Sequence, residues 1–147
     1  MSKYNLDRFI DTQRLDHAKA LAEIKAGKKK SHYMWYIFPQ LMIFPPEYVS
    51  STSRMFAISG LEEAREYIAH PFLRANITEL CEALLVHTDK TADNIFGVTD
   101  AKKLKSCMTL FALVSEENSI FHKVLDLFYQ GEMDDLTLDV LRASGEL

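Results

Sequence analysis

From residue 61 onward the chain repeats one pattern: apolar side chains three and four positions apart, in blocks broken by proline, glycine or short polar runs. Spacings of three and four stack side chains on one face of an α-helix, whereas a strand would alternate every second residue. Ser59-Gly60-Leu61-Glu62 has the spacing of a capping box. Leu61, Ala64, Tyr67 and Ile68 form the apolar face of the helix that follows. That helix must stop at His70, because the residue before a proline is pushed out of the helical region. Pro71 suits the first position of the next helix, whose stripe is Leu73, Ile77, Leu80, Cys81, Leu84 and Leu85. After a polar break at residues 88–91, Ile95-Phe96-Gly97 reads as a short turn. Asp100 reads as the cap of a helix carrying Leu104, Cys107, Met108, Leu110, Phe111 and Val114. Asn118 opens another, with Phe121, Val124, Leu125 and Phe128 inward and Gly131 as terminator. Leu136, Val140 and Leu141 suggest a closing helix.

The N-terminal part carries the same signal. Asn5 is placed to cap a first turn with Leu6, Phe9 and Ile10. Leu15, Ala18, Leu21, Ala22 and Ile24 follow before Gly27. This is two short helices, or one bent near residues 12–16. At 147 residues the chain fits one domain, and five glycines and four prolines leave little room for turn-dominated structure. The expected fold is mainly α: a single compact domain over residues 1–147 with about six to seven helices. One segment resists assignment. Residues 31–40, Ser-His-Tyr-Met-Trp-Tyr-Ile-Phe-Pro-Gln, hold four aromatic side chains including the only tryptophan. Periodicity does not separate a buried strand from a helical turn there. Residues 41–54, with Pro45-Pro46 and several serines, read as a loop long enough to be more than a connector.

Charge and cysteine usage narrow the function classes. A net charge of −4 opposes binding by neutralisation of a nucleic-acid backbone, and the one basic cluster, Lys25 with Lys28-Lys29-Lys30, is short. Cys81 and Cys107 fall in apolar helical patterns, the setting of buried reduced thiols. The first residues lack the apolar core of a signal peptide, and the longest uncharged run, residues 31–46, is shorter than a span of about 20 residues. A cytoplasmic protein without a membrane helix is expected. No Gly-rich phosphate loop, His-Glu-x-x-His, Gly-x-Ser-x-Gly or Cys-x-x-Cys is present, and none of the five histidines is paired at helical spacing. No metal and no cofactor is expected.

Four weaker signals remain. His32, Trp35, Tyr36 and Gln40 combine aromatic faces with hydrogen-bonding edges, as in a pocket for a planar ligand; a buried aromatic strip is the alternative. Asp100, Lys103, Ser106 and Thr109, at steps of three, run along one side of a helix whose start could hold an anion. Ordinary capping by Asp100 and back-bonding by Ser106 and Thr109 is the alternative, and the commoner one. His70 at its helix corner is a histidine that could act as acid or base, yet nothing local activates it. Lys28-Lys29-Lys30 is a solvated helix end, or a gate for an anionic ligand.

Residues 31–40 together with Asp100-Ala101-Lys102-Lys103-Leu104-Lys105-Ser106-Cys107-Met108-Thr109-Leu110-Phe111 resemble the two signatures of the bacterial domain-of-unknown-function family 1810. Ser53-Arg54-Met55-Phe56-Ala57-Ile58 and the stretch from Glu63-Ala64 to His70-Pro71 fit its pattern too. The agreement runs from Leu6 to Tyr129. The resemblance implies a mainly helical protein with no established activity, some of whose members carry the protease-inhibitor label calpastatin. That inhibitor type is an extended chain, whereas core-forming periodicity runs throughout this one. The resemblance further implies a shared pocket built from His32, Gln40, Ser53, His70, Asp100, Lys103, Ser106 and Thr109; Trp35 and Arg54 complete the ligand-binding candidates. This chain departs from the family in the longer, glycine-free stretch after Gln40, in Cys107 for serine, and in Asn76 for a basic residue.

Two functions follow as expectations. One is a small-molecule-binding protein or an enzyme acting on a planar, phosphate-bearing, nucleotide-like ligand. Trp35 would stack, Lys103 would receive negative charge, and His32 or His70 would be the catalytic candidate for hydrolysis or group transfer. The other is a non-catalytic interaction module or homo-oligomer, with Phe44-Pro45-Pro46 as an apolar patch.

Overall fold

The computed structural model describes residues 3–43 and 49–147. Nine helices occur among them: α1 (Asp7–Lys25), α2 (Met34–Ile37), α3 (Ser51–Phe56), α4 (Leu61–Ala69), α5 (Pro71–Leu85), α6 (Ala92–Phe96), α7 (Val98–Leu113), α8 (Ile120–Tyr129) and α9 (Asp135–Ala143). Six of them are nine residues or longer, matching the periodic blocks, and α2, α3 and α6 are single turns or little more. The only β pairing among the described residues is an isolated parallel bridge between Leu41 and Ile58. No helix among them is long and apolar enough to cross a membrane. The fold is the single compact mainly helical domain the periodicity calls for.

α5 and α7 form the middle of the molecule. α1 packs on α5, α8 lies against both, and α4 joins the same core. Aromatic rings run across it: Phe9 meets Tyr67 edge-on at 5.2 Å, Tyr67 lies 4.9 Å from Phe111, and Phe111 lies 5.6 Å from Phe121. Ring pairs in this range add to the area they bury. Cys81 and Cys107 are buried and free, and the Cys81 thiol donates to the Met108 sulfur at 3.8 Å. Burial pushes both thiols up, away from thiolate chemistry.

Several local expectations are corrected. α1 is one continuous helix, and Leu15 points out because Gln13 occupies the buried position on that turn. The Gln13 amide donates to the Tyr36 carbonyl and the Tyr67 hydroxyl, both at 2.9 Å, and accepts from Asn76 at 3.1 Å. Asn5 makes no side-chain cap; Leu6 is the N-cap. At α4 the cap residue is Gly60, and the Glu146 carboxylate accepts the Leu61 N–H at 2.8 Å. Glu63, not Glu62, reaches back to Ser59, taking its N–H and hydroxyl at 2.9 Å each. Ile95-Phe96 ends a helix rather than a turn, because Thr91 and Asn94 form a capping box there. Ser119 caps α8 in place of Asn118. Leu136 is half exposed while Leu141 is buried. The His70-Pro71 junction is as expected, with Pro71 opening α5.

Candidate functional site

Residues 31–40 combine both conformations the sequence leaves open. α2 is one helical turn, and the chain then extends through Phe38 into the bridge at Leu41. Spacing within that turn sorts the side chains. Tyr33, Met34, Ile37 and Phe38 go into the core, Phe38 meeting Phe96 edge-on at 5.7 Å. Trp35 and Tyr36 stay half buried on the other side. The Tyr36 hydroxyl donates to Asp16, and burial together with that carboxylate pushes its pKa up to about 12. Upstream, the Glu23 carboxylate accepts the N–H groups of Lys30 and Ser31 and the Ser31 hydroxyl, at 2.6, 3.0 and 2.6 Å. Burial alone would raise this carboxyl, but those donors outweigh it and hold it at about 2.

Beside Trp35 lies a cleft of about 350 Å³. Its walls are Trp35, Leu41, Met42, Ile43, Val49, Phe56 and Ala57, with Gln40, Ser50, Ser53 and Lys103 as the polar members. The far wall is pinned by a buried ion pair. The Arg8 guanidinium donates to the carbonyls of Met55 and Ala57 at 2.8 and 3.0 Å and to the Glu63 carboxylate at 2.7 Å. The bridge fixes the floor: the Ile58 N–H donates to the Gln40 carbonyl at 2.8 Å, and the Met42 N–H to the Ile58 carbonyl at 2.9 Å. Volume, apolar lining and a few convergent polar groups are the attributes of a small-molecule site.

Among the described residues the charges beside the cleft are unbalanced. Asp100, third residue of α7, spends its carboxylate on two lysines, Lys29 at 2.8 Å and Lys103 at 3.3 Å, rather than capping the helix. Burial works to raise the Asp100 carboxyl, but the Lys29 hydrogen bond and the two lysine charges hold it below its ordinary value. Lys29 is nearly closed off, its side chain 6% exposed, and its ammonium sits 4.9 Å from the Tyr33 ring centre. Lys103 faces the cleft, its ammonium 4.2 Å from the centre of the Trp35 ring. One carboxylate thus serves two cations.

The remaining candidates lie elsewhere. His32 is exposed and outside the cleft lining. Arg54, also exposed, sits on α3 without lining the cleft. His70 borders a separate depression with Lys3, Asn5, Asp7 and Ile10, and its Nδ1 is buried without a hydrogen bond. Ser106 and Thr109 face inward to hold α9. The Ser106 and Thr137 hydroxyls pair at 3.0 Å, while Thr109 donates to the Lys105 carbonyl at 2.8 Å and accepts the Asp134 N–H at 2.9 Å. The structure therefore gathers Trp35, Gln40, Ser53 and Lys103, keeps Asp100 behind Lys103, and disperses the rest. Phe44-Pro45-Pro46 lies outside the described residues. Sequence reasoning missed Phe56 and Met42 as lining residues and Lys29 as an inward-turned lysine. For Lys29 the available signal was its place as middle member of a lysine run leading into an aromatic segment. No group of three or more His, Cys, Asp or Glu able to hold a metal occurs among the described residues.

Fold and site thus define a class: a small all-helical domain carrying an apolar cleft with a lysine beside a tryptophan. The chain belongs to the family described as "Protein of unknown function (DUF1810)", whose pattern matches residues 3–141. It is similar in structure to the conserved hypothetical protein Rv1873 from Mycobacterium tuberculosis, known from a crystal structure at 1.38 Å, with 33% identity and a TM-score of 0.88. That match covers 96% of this chain and 99% of the other. No curated protein matches.

Proposed function

We propose that the protein binds a small planar ligand carrying negative charge, of the nucleotide or similar phosphate-bearing class, in the cleft beside Trp35. The observation that supports this most is the position of Lys103. It is a cation at an apolar cleft whose carboxylate neighbour among the described residues, Asp100, is already shared with the enclosed Lys29. An excess positive charge on such a wall favours an anionic partner more than the same charge in open water would. The Trp35 ring supplies a planar surface, and Met42 and Phe56 supply apolar walls, so a ring and an anionic group can be held together.

The reading is binding first. No histidine, cysteine or carboxylate is among the described lining residues, and Lys103 is the one titratable group among them. A small molecule fits the net charge of −4 better than a nucleic-acid chain does. The two buried free thiols suit a reducing cytoplasm.

A thermal-shift panel of nucleotides, dinucleotides and sugar phosphates tests the proposal. A binder at 100 times its Kd adds about 2.7 kcal/mol. For a domain of this size that raises Tm by about 5–11 °C. Lys103→Ala and Trp35→Ala should each shrink the rise. Equal responses in parent and both variants would place any ligand elsewhere.

A further inference from the structure

One polar group in the cleft is held in place and left without work. Gln40 has its carbonyl bonded to the Ile58 N–H at 2.8 Å and is followed at once by the bridge residue Leu41, so its backbone is fixed. In its side chain, among the described residues, Nε2 is buried and makes no hydrogen bond. Buried side-chain donors are nearly always paired, so an unpaired one on a cleft-lining residue calls for a partner, which a ligand supplies once the amide turns about its last torsion toward the cleft. We propose that Gln40 reads the edge of the bound ring, and that the ligand is a nucleobase-like heterocycle presenting a hydrogen-bond donor beside an acceptor. This inference rests on the nucleotide-class reading of the same cleft.

The chemistry of the amide sets that class. A glutamine side chain has one donor end and one acceptor end in a plane, and its last torsion is broad and roughly two-fold, so a half-turn exchanges the ends. Such a group pairs twice with an edge of complementary pattern, as glutamine does with the amino and ring-nitrogen edge of adenine. A sugar phosphate has no flat edge of this kind. A plain aromatic ring satisfies neither end. The other polar members of the lining are committed or differently suited: the Ser50 hydroxyl accepts the Ser53 N–H as the cap of α3, the Ser53 hydroxyl is a single rotating group with no flat two-ended edge, and Lys103 offers only donors. With Trp35 against the ring face, Lys103 at the anionic group and Gln40 at the ring edge, three contacts fix one orientation of one ligand type.

Calorimetric titration of the full chain separates the parts of this reading. The probes are the four common ribonucleoside monophosphates and 1-naphthyl phosphate, which is planar and phosphate-bearing but has no hydrogen-bonding edge. The parent should bind at least one nucleotide about ten- to a hundredfold more tightly than naphthyl phosphate, the discrimination expected of a doubly bonded edge. Gln40→Leu should erase that preference while leaving naphthyl phosphate equal or tighter, and Lys103→Ala should weaken both probes. Gln40→Met, closer in shape, serves if the leucine variant loses its parental Tm. Nucleotide and naphthyl phosphate binding equally well, both dependent on Lys103, would overturn the role of Gln40 and spare the cleft. A preference surviving in Gln40→Leu and Gln40→Met would do the same. Binding of no probe at millimolar concentration would overturn both readings.

Discussion

Removing the Arg8 side chain should unfasten the wall of the cleft, at a cost that the contacts allow us to size. Its guanidinium donates to four acceptors: the carbonyls of Asn5, Met55 and Ala57, and the Glu63 carboxylate. The side chains of Arg8 and Glu63 are 12% and 3% exposed, so the pair is screened little by water. Arg8→Ala leaves Glu63 enclosed with only Ser59 as a donor. Breaking one side of a buried pair costs about 3–5 kcal/mol. At about 2–4 °C per kcal/mol for a chain of this length, the melting temperature should fall by about 8–16 °C for a 4 kcal/mol loss. Arg8→Met with Glu63→Met should recover most of it, because replacing both charges by apolar groups removes the uncompensated one. Urea denaturation of parent, both single variants and the double variant, read as a cycle, gives the coupling. Single losses below about 1 kcal/mol that simply add in the double variant would refute the view that this pair holds α1, α4 and the segment between α3 and α4 together.

Three further outcomes follow from the same contacts. A Cβ at Gly60 would lie 2.6 Å from a Glu146 carboxylate oxygen, so Gly60→Ala should displace that carboxylate from the α4 N-terminus. The expected loss in chemical denaturation is about 1 kcal/mol, with no further loss when Glu146→Ala is added. Thr109→Val removes the acceptor of the Asp134 N–H and should cost about 1–2 kcal/mol while leaving ligand affinity unchanged; an affinity loss without a stability loss would return Thr109 to the site. Glu23 gives a pH dependence. Its folded pKa of about 2 lies below the unfolded value of about 4.3, so its contribution is present above pH 4.3 and lost as pH falls toward 2. Melting curves between pH 5 and pH 2 should therefore fall less steeply for Glu23→Gln than for the parent, and parallel curves would show that Glu23 does not link to folding.

The helical framework was legible because each long helix carries its own apolar stripe and its own stop, as at His70-Pro71 and Gly131. Caps were harder to read wherever the partner lies far along the chain. Ser59 looked like the cap of α4, but the group that takes the Leu61 N–H is Glu146, 85 positions beyond Leu61, and no local spacing encodes that. Gln13 stands in an apolar stripe as an apparent misfit. Only the approach of Tyr36, Tyr67 and Asn76 makes it a core residue. The site was legible in part for the same reason. Trp35 and Gln40 share one segment and Lys103 one helix, yet Phe56 and Met42 reach the cleft through tertiary packing alone. Ser106 and Thr109 shared the step-of-three spacing of Lys103, but that drift carries them round to the buried side of α7, facing α9.

Trp35 is the only tryptophan of the chain, so its fluorescence reports directly on the cleft. Titration of the purified protein with nucleoside monophosphates should change that emission saturably, and Lys103→Ala should weaken the response at least tenfold. Emission unchanged up to millimolar nucleotide, or a response identical in Lys103→Ala, would contradict a ligand site built on Trp35 and Lys103.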